Sequence, residues 1–136
     1  MGNPRPAGGT RFQIHRITGS GTSIDNAFAE VEVTVPARGL LRRIRANVTA
    51  GTSINEVSVE VREVTAGTGN DVVALYPLQA EPLDDDLAAA PLFYSVAQTG
   101  SDRNGDRTGT LFVAVRVDDA TADHTIAISL DVESTE

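Results

Sequence analysis

Apolar and polar residues alternate along much of this chain with a period of two. Ala29, Val31, Val33 and Val35 fall on one side of such a run, with Glu30, Glu32 and Thr34 on the other. The alternation recurs at Val57-Val59-Val61, at Leu111-Val113-Val115-Val117 and at Ile126-Ile128-Leu130-Val132. Successive side chains of a strand point to opposite faces, so each run predicts a strand buried on one side only. About eight strands are expected, near 11–17, 27–35, 40–48, 56–64, 72–76, 92–97, 110–117 and 125–133. The stretches between them are turn formers, among them Thr18-Gly-Ser-Gly-Thr, Pro36-Ala-Arg-Gly39 and Gly100-Ser-Asp-Arg-Asn-Gly105. Glycine and asparagine supply the positive φ angles of tight reversals. Short strands at this spacing predict an all-β chain: a single antiparallel β-sandwich, jelly-roll-like.

Two stretches depart from the alternation. Residues 1–10 carry Gly2, Pro4, Pro6, Gly8 and Gly9, which continue neither a helix nor a central strand. They predict a flexible N-terminal arm, with the sandwich domain over 11–136. Glu81-Pro-Leu-Asp-Asp-Asp-Leu-Ala-Ala-Ala-Pro91 places acids ahead of good helix formers and a proline behind them. Aspartates favour a helix N-terminus, so a single helical turn is expected there.

Composition narrows the chemistry. A chain of 136 residues, 40% hydrophobic, is long enough for one domain with its own core. It has no cysteine, and all eleven of its cations are arginine. Disulfides, thiolate metal sites, cysteine nucleophiles and lysine Schiff bases are therefore outside its repertoire. A net charge of −8 sets it against phosphate backbones, so no nucleic acid partner is expected. The N-terminus lacks the apolar core of a signal peptide, and no apolar run approaches membrane-spanning length. Synthesis in a cytoplasm and no membrane partner are the expectations.

The reactive residue types are few and scattered. His15 falls in the first strand. His124 follows Asp123 in the last loop, where it reads as a solvated histidine, because no Gly-x-Ser-x-Gly elbow accompanies it. Asp102-Arg-Asn-Gly-Asp106 offers oxygen ligands at alternate positions. Arg107 holds the expected glycine slot and Val113 the closing acid, so it reads as a polar hairpin tip. Three consecutive aspartates, Asp84-Asp85-Asp86, do not aim at one metal from a strand. Asp118, Asp119 and Asp123 are calcium candidates with the same shortfall. No catalytic residue, cofactor or resident metal is expected, and the chain reads as no enzyme.

The basic residues are local. Arg38, Arg42, Arg43 and Arg45 crowd into and before the third strand of an acidic chain. Strict alternation puts Arg43 and Arg45 on a face with Leu41, opposite Leu40, Ile44, Ala46 and Val48. Such arginines suit carboxylates of a neighbouring chain, or else Glu30, Glu32, Glu60 or Glu63 of the same sheet. Phe93 and Tyr94 are of the type found at interface centres.

The Gly/Pro arm, the Gly-Thr-Ser loops at 21–23 and 51–53, and the valine-rich strands at 29–35, 57–61 and 111–117 resemble the capsid decoration (cement) proteins of tailed bacteriophages. The resemblance implies a structural virion protein, commonly a homotrimer, that binds the major capsid protein at the capsid surface and stabilises the shell. Arg5 of the arm, Arg11 next to it, Arg42, Arg43, Arg45, Phe93 and Tyr94 would then form the protein interface. Tail-fibre and baseplate modules share such sandwiches, so the alternative is a glycan- or receptor-binding module.

Overall fold

A computed structural model describes residues 14–50, 56–64, 72–119 and 122–135. Among them the chain is all-β, with no helical residue. Its strands are β1 (Ile14–Ser23), β2 (Ala29–Pro36), β3 (Arg38–Ala50), β4 (Glu56–Arg62) and β5 (Val72–Ala80). They continue with β6 (Leu83–Asp86), β7 (Leu92–Ser95), β8 (Gln98–Ser101), β9 (Arg107–Val117) and β10 (His124–Ser134). Two antiparallel five-stranded sheets pack face to face as a β-sandwich. The first runs β1-β10-β3-β6, with β7 also on β3; the second runs β2-β9-β4-β5, with β8 also on β9.

The alternating runs supply the inner faces. Val31, Val33 and Val35 of β2, Val57, Val59 and Val61 of β4, and Leu111, Val113, Val115 and Val117 of β9 line one side. Leu41, Ile44 and Ala46 of β3 and Ile126, Ile128, Leu130 and Val132 of β10 face them from the other sheet. Each fully buried Val, Leu or Ile contributes about 1.5–3 kcal/mol, so this layer dominates the stability.

Four features differ from the expectation. β1 runs on through Gly19 and Gly21 instead of turning at Thr18. A Cβ on Gly19 would lie 2.7 Å from Val31 Cγ1, so glycine here lets the edges of the two sheets approach. No helical turn forms at 81–91. Leu83–Asp86 pairs with β3 instead, and a turn closed by Ala90 N–H donating to the Leu87 carbonyl follows. Backbone pairing with a long strand outweighs the weak helical preference of four residues. β8 rises from the polar stretch before the Asp102–Asp106 tip, where Asp102 Oδ1 accepts from Asn104 and Asp106 N–H.

The fourth difference is a β-bulge. In β3, Leu41 opposes Val132 and Arg43 opposes Asp131, which leaves Arg42 as the extra residue. The bulge resets the phase of the strand. Leu41 therefore joins Ile44 and Ala46 in the core rather than sharing a face with Arg43 and Arg45.

β3 also carries a close approach. The ring of Tyr94 lies over Gly39, and a Cβ there would sit 2.7 Å from both Tyr94 Oη and the Glu133 carbonyl. Gly39→Ala is expected to destabilise by about 1–3 kcal/mol through overpacking, with a lowered melting temperature. Gly100→Ala, where the nearest atom is Thr108 Oγ1 at 3.5 Å, is expected to melt close to the unsubstituted protein.

Candidate functional site

The arginines of β3 lie on the outer face of the first sheet, within reach of acids on its other strands. Arg16 of β1 donates from Nε to Asp131 Oδ1 of β10 at 2.9 Å. Arg43 donates from Nε and Nη2 to the two oxygens of Asp84 at 2.8 and 2.9 Å, and Arg45 stands 3.5 Å from the same carboxylate. Arg42 Nη1 donates to Glu133 at 2.8 Å. None of these partners is among the four glutamates offered as one alternative from sequence: Glu30, Glu32 and Glu60 belong to the second sheet, and Glu63 accepts Ser95 N–H at 2.7 Å. Asp84 faces outward because β6 is a strand. The Arg43 hydrogen bond, with Arg45 beside it, holds its carboxyl below the ordinary range.

Phe93 is 53% exposed on this face, and Arg38 Cζ lies 5.9 Å from its ring centroid. Its neighbour Tyr94 is wholly buried, which places it in the core and not at a surface of the single chain. Strand alternation separates the two aromatics. Arg5 and Arg11 lie outside the described residues.

The opposite end of the sandwich carries a second feature that sequence reading missed. Asp25 (φ 50°) and Asn26 (φ 68°) both occupy the left-handed region, and Ala27 N–H donates to the Ile24 carbonyl at 2.9 Å. Two such residues in succession make a tight primed turn, which aspartate and asparagine tolerate best. The buried Ser23 hydroxyl donates to the Ala27 carbonyl at 2.7 Å and accepts Val117 N–H at 3.1 Å. Arg116 donates to Asn26 Oδ1 and lies 5.6 Å from the Phe28 ring centroid. Thus held, the turn presents Ile24, 54% exposed, and Phe28, 45% exposed. The Asp-Asn pair after Ile24 was the signal available in the sequence.

His124 is buried beside this turn and is not the solvated residue expected. Its Nε2 lies 3.1 Å from Asp119 Oδ2, and its backbone pairs with Ser23. Asp118 stands 3.9 Å from Arg116, and Asp123 is exposed. The three calcium candidates thus point to separate tasks. Among the described residues, no group of three or more histidines, aspartates or glutamates is arranged to hold a metal ion. Ser23 thus staples the turn, while the His124 ring ties the start of β10 to Asp119 beyond β9. Shallow grooves flank Arg45, one toward Asn47, Glu81 and Pro82, the other toward Thr18, Ser20 and Ser129.

Compared with protein-family models, curated proteins and solved structures, the chain matches none.

Two outcomes test this geometry. A carboxyl with a depressed folded-state pKa stabilises above its unfolded value, and that stability is lost as pH falls through the folded one. Asp84→Asn is therefore expected to lower the melting temperature at neutral pH. The gap should close as pH falls below the ordinary carboxylate range, and should narrow in high salt. Ser23→Ala leaves Val117 N–H without its acceptor in a buried setting and is expected to cost about 1–3 kcal/mol, read by chemical denaturation.

Proposed function

We infer that this is a non-catalytic structural protein of a tailed-bacteriophage virion, which docks on the capsid surface and stabilises the shell. The observation that carries the reading is a pair of half-exposed aromatics, Phe93 and Phe28. They sit toward opposite ends of the sandwich, each beside an arginine (Arg38 and Arg116). Phe28 adjoins a turn that is rigidly held. Rigid aromatic anchors with charged rims are what protein contacts use. We also read the strand order, β1-β10-β3-β6 over β2-β9-β4-β5, as that of a jelly roll. That architecture serves viral shells and lectins alike, so it supports both readings and separates neither.

Receptor or glycan binding is the second reading, favoured by one observation. Arg45 lies between two shallow grooves, and its buried Nε, 3.5 Å from Asp84 Oδ1, makes no closer hydrogen bond to a described residue.

The test is heating of capsids with and without the purified protein. Bound protein is expected to raise the disruption temperature. Phe93→Ser and Phe28→Ser are expected to weaken binding while the protein's own melting changes little. Absence of particle binding, with reproducible binding on a glycan array that Arg45→Ala removes, would replace this function by the second.

A further inference from the structure

We propose that the outer face of the first sheet carries a shallow site for one carboxylate-bearing sugar, with Arg45 receiving the carboxylate. The proposal rests on the second reading above for its ligand class and is independent of docking on a capsid. Strand register places the site. Thr18 of β1, Ser129 of β10, Arg45 of β3 and Asp84 of β6 lie abreast in one row, and Ser20, Ala127 and Asn47 form the next. Their neighbours along β10 and β3, Ile128, Leu130, Ile44 and Ala46, are buried in the core, so these residues face outward. On β10 the outward residues are serine and alanine, whereas β3 offers Arg45 and Asn47, whose longer side chains wall a groove over Ala127. Neighbouring strands lie about 4.8 Å apart and alternate residues about 6.8 Å apart, so the floor from β1 to β3 measures about 10 by 7 Å, room for one sugar ring.

The lining selects the ligand. Arg43 occupies both oxygens of Asp84, at 2.8 and 2.9 Å, and Arg45 meets that carboxylate only through Nε, at 3.5 Å. Arg45 therefore keeps donors for a further carboxylate, which a guanidinium holds through two parallel hydrogen bonds. The hydroxyls of Thr18, Ser20 and Ser129 and the amide of Asn47 both donate and accept, as the hydroxyls of a sugar do. Ala127 and the aliphatic stem of Arg45 offer carbon to its C–H face. A bare carboxylate would use the arginine and leave the two rows of polar groups to water.

A chain of net charge −8 admits an anion only where its acids are already engaged. Around this groove they are. Asp131, one row away, holds Arg16 through both oxygens, at 2.9 and 3.2 Å. Asp86, in the same row opposite Arg43, accepts Ala88 N–H at 2.9 Å. Glu81 lines the groove on the other side of Arg45 and turns its carboxylate to Val48 N–H at 3.0 Å. Among the described residues no acid lines the groove toward Thr18, Ser20 and Ser129.

Methyl β-glucuronide and methyl β-glucoside differ only in bearing a carboxylate or a hydroxymethyl group, so the pair isolates the charge. Titrated into the full chain and followed by amide NMR, the glucuronide is expected to shift Thr18, Ser20, Asn47, Ala127 and Ser129. The glucoside and sodium acetate should each bind about tenfold more weakly or less, having lost the charged hydrogen bonds or the hydroxyls. Arg45→Ala should weaken the glucuronide by a similar factor. Ala127→Leu fills the floor, keeps every charge and should abolish binding; melting curves check that both variants fold, and Arg45→Ala decides alone should Ala127→Leu unfold. Arg103→Ala, at the tip between β8 and β9, should change nothing. Equal affinity for the two glycosides overturns the carboxylate assignment and leaves the second reading standing. Acetate as strong as the glucuronide overturns the sugar, and shifts that survive Ala127→Leu in a folded protein place the anion elsewhere and overturn the site. No response to either glycoside overturns the site and the second reading's support at Arg45 together.

Discussion

Every other feature of this molecule depends on the burial of one layer of aliphatic side chains between two sheets. The layer is built from valine, isoleucine and leucine on β2, β4 and β9 facing β3 and β10. A one-residue slip of any of these strands would turn its apolar set toward water, so burial fixes register as well as stability. The two glycines of β1 follow from the same requirement. Where the sheets close on one another at the β1–β2 edge, Val31 leaves no room for a side chain on Gly19.

The bulge at Arg42 shows how the core dictates the surface. Without it, Leu41 and Ile44 could not both face inward, and the arginines after them would be out of phase with their partners. With it, Leu41, Ile44 and Ala46 are buried, while Arg43 and Arg45 meet Asp84 across the outer face. The same strand brings Gly39 beneath Tyr94, and the next outward-facing residue, Phe93, remains exposed under Arg38. Exposed ion pairs of this kind contribute little each, typically below about 1 kcal/mol. Their consequence is orientation: they hold the arginines flat on the sheet and leave the aromatics as the groups that project.

Much of the fold was legible in the chain. The four long alternating runs became β2, β4, β9 and β10, and the sandwich class followed from their one-sided patterning. Residues that act through partners distant in sequence were not legible. Asp84-Asp85-Asp86 resembles a helix start by itself and becomes a strand because β3 pairs with it. Tyr94 and Phe93 are equivalent as sequence and opposite as structure. His124, polar and next to Asp123, is buried because β10 begins at His124 and pairs it with Ser23 of β1.

The sequence by itself determined the all-β class, the inward face of most long strands, and a chemical repertoire without thiol or lysine. These are local properties, set by side-chain period and residue type. Tertiary structure decided which carboxylates the arginines meet, which aromatic is exposed, and where the bulge shifts the phase. Each of these is a relation between strands far apart in the chain. Alternation records only that a face is buried, not what lies opposite it.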